Sequence, residues 1–303
     1  MVDYMLDFRI NTFLAVCRYM SFSQAAEALH ITQPAVSQHM QVLQDKLGQQ
    51  LYVLHGRQVV LTEQGRRYYE FAQSLDRDIK RFTGEFTTET ISSSITFGAT
   101  LSIGEFILPP LLSRLIDADP QRNITLYVDN TENLLGMLDE GTIDVAFIEG
   151  AFDKNSYDYR LWSHERFIGI GSQACLERHT EPTLEMLLEE RLIIRERGSG
   201  TRGVLERYLA ESGLTPESFS HVDEIGNLNV IKYLVSRDHG ISFLYEAAAR
   251  DAIEQENITE LPIKEWQVSR EFNFVFTKNS QYTPRFLDFY RECKRAAVIT
   301  EDP

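Results

Sequence analysis

Residues 13–69 read FLAVCRYMSFSQAAEALHITQPAVSQHMQVLQDKLGQQLYVLHGRQVVLTEQGRRYY, and this stretch decides the fold. Phe13, Leu14 and Cys17 recur at helical spacing and are expected to face a core. Ser23 reads as the N-cap of a short second helix that turns Ala25, Ala26 and Leu29 inward. After the tight connection His30-Ile31, Thr32 caps a third helix. Pro34 falls in its first turn, where a missing N–H costs nothing. That helix is expected to bury Val36, Met40, Leu43 and Leu47 and to stop at Gly48.

The opposite face of the third helix carries Gln33, Pro34, Ser37, Gln38 and Gln41, with Asp45 its one charge. Amide side chains donate and accept at once, which matches an adenine edge in the major groove; a merely solvated face is the other reading. Leu51–Leu54 and Val59–Leu61 flank His55-Gly56-Arg57 as a two-stranded ribbon, or wing. Arg57 at its tip either touches a phosphate or stays solvated. The candidate DNA contacts are Ser23, Thr32, Gln33, Pro34, Ser37, Gln38, Gln41 and Arg57.

Outward from this unit, Thr62 is expected to cap a longer helix. Tyr68, Ala72, Leu75, Ile79, Phe82 and Phe86 form a heptad stripe along it. The stripe serves either self-pairing or docking on the same chain. Charges from Arg66 to Arg81 are expected to keep the other faces wet, which favours a self-pairing rod.

From Ser94 onward the pattern changes to alternating strands and amphipathic stretches, the mark of an α/β fold. Ser94–Ala99, Ile124–Val128 and Ile143–Ile148 read as strands. Between them lie the loop Thr100-Leu101-Ser102, a helix through Ile107–Leu115 and a helix at Leu134–Leu138. This order predicts a parallel sheet with binding loops at the strands' carboxyl ends. The pattern repeats at Phe167–Ile170, Leu184–Leu188, Leu192–Arg195, a helix from Thr201, Val222–Ile225 and Ile241–Leu244. Phe272–Phe276 and a helix over Arg285–Arg295 finish it. Arg195-Glu196-Arg197-Gly198-Ser199-Gly200-Thr201-Arg202 follows a strand and opens a helix. Converging N–H groups, two hydroxyls and a helix N-terminus there suit an anion. A tight turn with Ser199 or Thr201 as a simple cap is the alternative.

The elements SFSQAAEALHITQPAVSQHM, KLG and VVLTEQG together resemble the N-terminal domain of LysR-type transcriptional regulators. The resemblance extends over the whole chain. It implies an α/β protein with a mostly helical winged helix-turn-helix (1–65), a linker and dimerisation helix (66–90) and an effector-binding domain (91–303). The last resembles periplasmic binding proteins, with subdomain I at 91–165 and 267–303 and subdomain II at 166–266. By this pattern Gln33, Pro34, Ser37 and Gln38 lie at the groove. A homodimer or homotetramer pairs through the stripe to read an inverted-repeat operator in double-stranded DNA. RNA polymerase is a further candidate partner. The implied effector residues are Thr100, Leu101, Ser102, Glu149, Ser199, Gly200, Thr201, Arg202 and Asn227. IEG at 148–150, GSGTR at 198–202 and IGNLNVIKYLV at 225–235 look like the branch that regulates sulfite reduction and sulfur assimilation, so a small oxyanion or carboxylate is the expected effector. An ionised Glu149 would oppose it unless Arg202 or another cation balances the charge. The chain departs from the family pattern at Gln44 (usually Glu), Leu54 (usually Arg), Asp238-His239 and Tyr245.

The formal net charge is −15, but its distribution matters more than its sum. Residues 1–90 hold 9 Lys/Arg against 10 Asp/Glu, whereas residues 91–303 hold 21 against 35. The DNA-reading third is therefore neutral, and dimerisation must supply part of its affinity. No apolar run approaches the ~18 residues of a membrane span, and Met1–Ile10 lacks the pattern of an export signal, so a bacterial cytoplasmic protein without membrane contact is expected. Cys17, Cys175 and Cys293 are too few for a disulfide framework or a four-thiolate site. The seven histidines lack HExxH spacing and Gly198-Ser199-Gly200 lacks the nucleophile-elbow frame. No catalytic residue, metal or cofactor is therefore expected beyond the small-molecule effector. A transport-type solute-binding protein and a regulator with a non-anionic effector are the alternatives.

Overall fold

The computed structural model describes residues 7–56, 58–87, 95–264 and 266–298; within these, the side chains of 84–87 and 298 lie outside the description. The chain divides into two compact units, 1–91 with 278–283 and 92–277 with 284–303.

The first unit begins with α1 (Phe8–Tyr19), α2 (Phe22–Ala28) and α3 (Gln33–Leu47). Asp7 caps α1 by accepting the Arg9 N–H at 3.0 Å. The cap of α2 is Ser21, which accepts the Gln24 N–H, and not Ser23, which lies exposed in the first turn. Both serines suit a cap by type; the extended backbone of Ser21 selects it. Thr32 caps α3, and Gly48 ends it in a left-handed conformation. Val36, Met40 and Leu43 join Phe13, Val16, Cys17, Ala25 and Ala26 in one core. Leu47 is 41% exposed, because the last turn of α3 runs past that core. The wing follows as β1 (Tyr52–His55) and β2 (Gln58–Leu61), antiparallel, with Val59 and Leu61 turned inward.

The linker helix α4 (Glu63–Thr87) starts where Thr62 Oγ1 accepts the Gly65 N–H at 3.0 Å. A Cβ on Gly65 would sit 1.8 Å from the Leu51 carbonyl oxygen, so the glycine of TEQG lets this helix close on the wing. One flank of α4 is not wet. Ser74 and Asp78 are buried against the 278–283 segment of the same unit. Ser74 Oγ donates to the Asn279 carbonyl at 2.8 Å, and Asp78 accepts from Ser280 Oγ and the Gln281 N–H, both at 2.7 Å. A remote serine hydroxyl and a remote backbone N–H, both invisible to local periodicity, make the charge burial tolerable.

The second unit runs β3 (Ile95–Thr100), α5 (Leu101–Phe106), α6 (Leu108–Ala118), β4 (Ile124–Asp129), α7 (Thr131–Glu140) and β5 (Val145–Glu149). Ser94 lies outside the described residues. Residues 101–102 open a helix and are not a loop; Pro109 and Pro110 then force α6 to start afresh. Next come β6 (Tyr157–Gly171), α8 (Gln173–Arg178), α9 (Leu184–Leu187), β7 (Arg191–Ile194), α10 (Gly200–Glu211), β8 (His221–Glu224) and α11 (Leu228–Ser236). β9 (Ser242–Tyr245), α12 (Glu246–Glu254), β10 (Thr259–Glu260), β11 (Val268–Thr277) and α13 (Thr283–Val298) complete the fold.

β3 pairs in parallel with β4 and β5, and β7 with β8, as the βαβ order requires. The sheet is nevertheless mixed, not wholly parallel. The 15-residue β6 and the 10-residue β11 run antiparallel to each other, and β11 also pairs antiparallel with β5. Phe97, Phe147 and Phe274 stack edge-on between the strands, fixing their register.

Candidate functional site

On the first unit, α3 turns Gln33, Pro34, Gln38 and Gln41 outward, with Ser37 half-buried, while its core residues hold the other face. Thr32 is exposed, but its hydroxyl already caps the helix. Gln41 Nε2 donates to Asp45 Oδ1 at 2.8 Å, which holds that amide along the helix. Gln44 Oε1 accepts the Leu51 N–H at 2.8 Å, so the amide satisfies the backbone at the entry to the wing. Arg57 lies outside the described residues. Along α4, Ala72 is buried, Tyr68 packs on Phe13, and Leu75 and Ile79 are half-buried. Phe82 is 44% exposed and Phe71, outside the heptad stripe, is 57% exposed. The side chain of Phe86 lies outside the description.

On the second unit, the carboxyl end of β5 meets the start of α10. Glu149 is buried, and its Oε1 accepts from Thr201 Oγ1 at 2.6 Å. Its carbonyl accepts from Thr131 Oγ1 at 3.0 Å, and its N–H donates to Thr100 Oγ1 at 3.3 Å. The approach is backbone-tight: a Cβ on Gly200 would lie 2.4 Å from the Glu149 carbonyl oxygen. Gly150, at φ +85°, would put a Cβ 2.7 Å from the Gly200 Cα. Glycine is required on both sides of this contact.

Around the Glu149 carboxyl the structure collects buried polar atoms that lack a hydrogen-bond partner. They are Glu149 Oε2, Ser102 Oγ, Arg195 Nη1 and Tyr245 OH. Arg195 spends Nε and Nη2 on Glu196, at 2.7 Å each, which leaves Nη1 over. Ser102 Oγ acts on the Glu149 carboxyl from a position that completes no hydrogen bond. Burial pushes the Glu149 carboxyl above its ordinary range; Thr201, Ser102, the Arg195 charge and Thr100 pull it back in part. Burial and the nearby Glu149 push the Tyr245 hydroxyl well above its usual value. Unpaired buried polar groups cost about 1–3 kcal/mol each, so several together mark a place made for a polar occupant.

Four residues expected at this site do other work. Arg202 donates to Glu206 at 2.6 Å, to Glu224 and to the Arg195 carbonyl at 3.2 Å, so it is not the cation that balances Glu149. That role falls to Arg195. Leu101 packs against an apolar cluster containing Ile168, Ile193 and Leu228. Gly200 serves by its missing side chain. Asn227 is exposed and caps α11 by accepting the Val230 N–H at 3.0 Å. Arg195 and Tyr245 went unassigned in the sequence, although the polar termini of the apolar runs 191–195 and 241–245 carried the signal. Two hollows flank the Gly150–Gly200 contact. One of about 670 Å³ is lined by Thr131, Glu132, Ser199 and Glu206; the other, about 500 Å³, by Lys154, His164, Arg207 and Arg270.

Residues 9–66 match the family model of the bacterial regulatory helix-turn-helix protein, lysR family, and residues 88–298 match the LysR substrate binding domain. The chain belongs to the LysR family. It is a DNA-binding transcriptional regulator of that family, with a C-terminal domain that answers to a small molecule. Among LysR-family relatives, the HTH-type transcriptional regulator CysL of Bacillus subtilis (strain 168) is 28% identical over 88% of this chain and 89% of its own. The uncharacterized HTH-type transcriptional regulator YeiE of Escherichia coli (strain K12) is 28% identical over 93% of this chain and 95% of its own. Full-length BenM shares the fold at a TM-score of 0.59 and 20% identity, covering 98% of both chains. The Synechocystis PCC6803 CcmR regulatory domain, solved in complex with 2-PG, shares it at 0.60 and 20% identity over 70% of this chain and 99% of that one. Among the described residues no helix is long and apolar enough to cross a membrane.

Proposed function

We propose that this LysR-family regulator is switched by a small oxyanion or carboxylate held at the Glu149 cluster, between the two α/β halves of the second unit. The observation that carries the reading is the set of unpartnered donors Ser102 Oγ, Arg195 Nη1 and Tyr245 OH around one buried carboxyl. A ligand with several acceptor oxygens satisfies them together, and protonated Glu149 adds a donor where its ionised form would repel. The resemblance of residues 148–150, 198–202 and 225–235 to the sulfur-assimilation branch makes sulfite the first candidate. The 2-PG held by the similar CcmR domain supports a small ligand in this fold.

In this reading the protein acts in the bacterial cytoplasm as a homodimer or homotetramer paired through α4. Its two α3 helices read an inverted-repeat operator, and ligand binding changes how the pair presents them to DNA and to RNA polymerase. The exposed rings of Phe71 and Phe82 support pairing through α4. A thermal-shift screen against sulfite, sulfate, thiosulfate, phosphate and small carboxylates tests the ligand class. At least one anion is expected to raise the midpoint in the wild type and to do so less in Ser102→Ala and Thr201→Ala. A ligand shift indifferent to both substitutions would place the site elsewhere.

A further inference from the structure

A further cluster in the second unit unites three kinds of metal-binding side chain. The Cys175 thiol, a ring nitrogen of His179 and a Glu190 carboxylate oxygen offer ligand atoms that all lie within 4.8 Å of one another. Cys175 lies on α8 and His179 follows one turn later at its end, where its N–H bonds the Cys175 carbonyl at 3.0 Å. The i, i+4 spacing points both side chains the same way. Glu190 comes from the turn just before β7, and its Oε1 sits 2.9 Å from His179 Nε2. Cys175 is buried while His179 and Glu190 are half-buried, so the cluster has a protected floor and an approach from solvent.

We propose that Cys175, His179 and Glu190 bind one divalent transition-metal ion of the zinc type. The donor set decides the class. One thiolate and one imidazole discriminate against Mg²⁺ and Ca²⁺, which take oxygen ligands, and favour the borderline ions that accept sulfur, nitrogen and oxygen together. Three protein ligands leave the fourth tetrahedral position to water or an incoming group. Metal–sulfur and metal–nitrogen bonds of about 2.3 and 2.0 Å put tetrahedral ligand atoms roughly 3.5 Å apart. The present separations, 2.9 Å between His179 Nε2 and Glu190 Oε1 and no more than 4.8 Å among the three donors, bracket that value. On binding, the Cys175 S–H bond breaks, a sulfur–metal bond forms, and the proton leaves to solvent.

The surroundings are suited to hold such a site. Arg178 donates to Glu190 Oε1 at 3.2 Å and to Oε2 at 3.4 Å, and to Asp238 at 2.8 Å. With the metal on Oε1, Arg178 keeps Oε2 and orients the carboxylate from outside. Ser172 Oγ accepts the Cys175 N–H at 2.9 Å and donates to Asp238 at 2.5 Å, which fixes the backbone that carries the sulfur. His179 Nδ1 is buried without a hydrogen bond, so the ring is held from one side only.

The test is a Co²⁺ titration of full-length protein, stripped with a chelator and kept reduced. The expected result is a thiolate-to-cobalt charge-transfer band with tetrahedral ligand-field bands, saturating at one equivalent per chain and displaced by Zn²⁺. Cys175→Ser abolishes the charge-transfer band, whereas Cys17→Ser and Cys293→Ser keep it. His179→Gln, at a half-buried position, loses the tetrahedral pattern with far-ultraviolet dichroism unchanged, which separates lost ligation from lost fold. A wild type without the band, or a band that survives both Cys175→Ser and His179→Gln, overturns the proposal.

Discussion

Thr201 Oγ1 donates a 2.6 Å hydrogen bond to Glu149 Oε1, and this bond links the start of α10 to the end of β5. It joins the two segments that carry most of the candidate effector residues. The other carboxyl oxygen of Glu149 is buried without a partner, so this bond also holds much of the carboxyl's remaining solvation.

A pH dependence follows from Glu149. Its folded-state pKa lies above the ordinary value of 4.5 because burial disfavours the charge. Its stabilising contribution is therefore complete below about 4.5 and is lost as pH rises through the folded value. Glu149→Gln keeps an acceptor for Thr201 and removes the titration. The melting temperatures of variant and wild type should coincide in acid and diverge in favour of the variant as pH rises. Thermal melts across that range check it; a difference that stays flat with pH contradicts it.

Gly200→Ala forces a methyl to within 2.4 Å of the Glu149 carbonyl oxygen unless the two segments part. Overpacking of this kind costs roughly 1–3 kcal/mol. We expect a lowered melting temperature for the second unit, with operator binding by α3 retained. Differential scanning calorimetry and a gel shift on the same preparation separate the two effects.

Much of the first unit was legible because its determinants are local. Thr32, Pro34 and Gly48 announce α3 by type and position, and one core collects Val36, Met40 and Leu43 between them, leaving Leu47 out. Ser23 failed as a cap because Ser21 satisfies the same chemistry two residues earlier. In β6 only Phe167–Gly171 forms a continuous buried run. The ten residues before it alternate with Asp158, Arg160, His164 and Arg166 and did not read as a strand. Thr100, Ser102, Glu149, Ser199 and Thr201 stand out in the sequence because hydroxyls and glycine gather at strand ends; the structure brings Thr100, Ser102 and Thr201 to Glu149. Arg195 follows β7 and Tyr245 ends β9, and only the fold brings these two polar ends to one carboxyl. For Arg202, Glu206 at i+4 was readable on the helix, but Glu224 on β8 was not.

Gln33→Ala and Ser37→Ala should weaken operator binding by about 1–3 kcal/mol for each base contact removed. Fluorescence anisotropy at fixed salt measures this. Unchanged affinity in the double variant would remove α3 from the reading role.

Asp7 is held down to about 2 by hydrogen bonds from the Arg9 side chain and backbone, and it caps α1. Because its folded-state pKa lies below the ordinary 3.8, its contribution is present above that value and fades as pH falls toward about 2. Asp7→Ala should cost about 1 kcal/mol at neutral pH, the usual cost of a lost cap. Denaturant melts followed by far-ultraviolet dichroism read it.

Phe82→Glu places a charge at the exposed Phe82 of the α4 stripe and should shift the protein toward monomer. Light scattering after size exclusion reports the mass; an unchanged oligomer would move the pairing surface off this stretch.

The most direct test of the central claim is calorimetric titration of wild type and Arg195→Met with the anion that gives the largest thermal shift. Binding at the Glu149 cluster predicts one site per chain in the wild type and its loss in Arg195→Met. Equal binding by both proteins would contradict it.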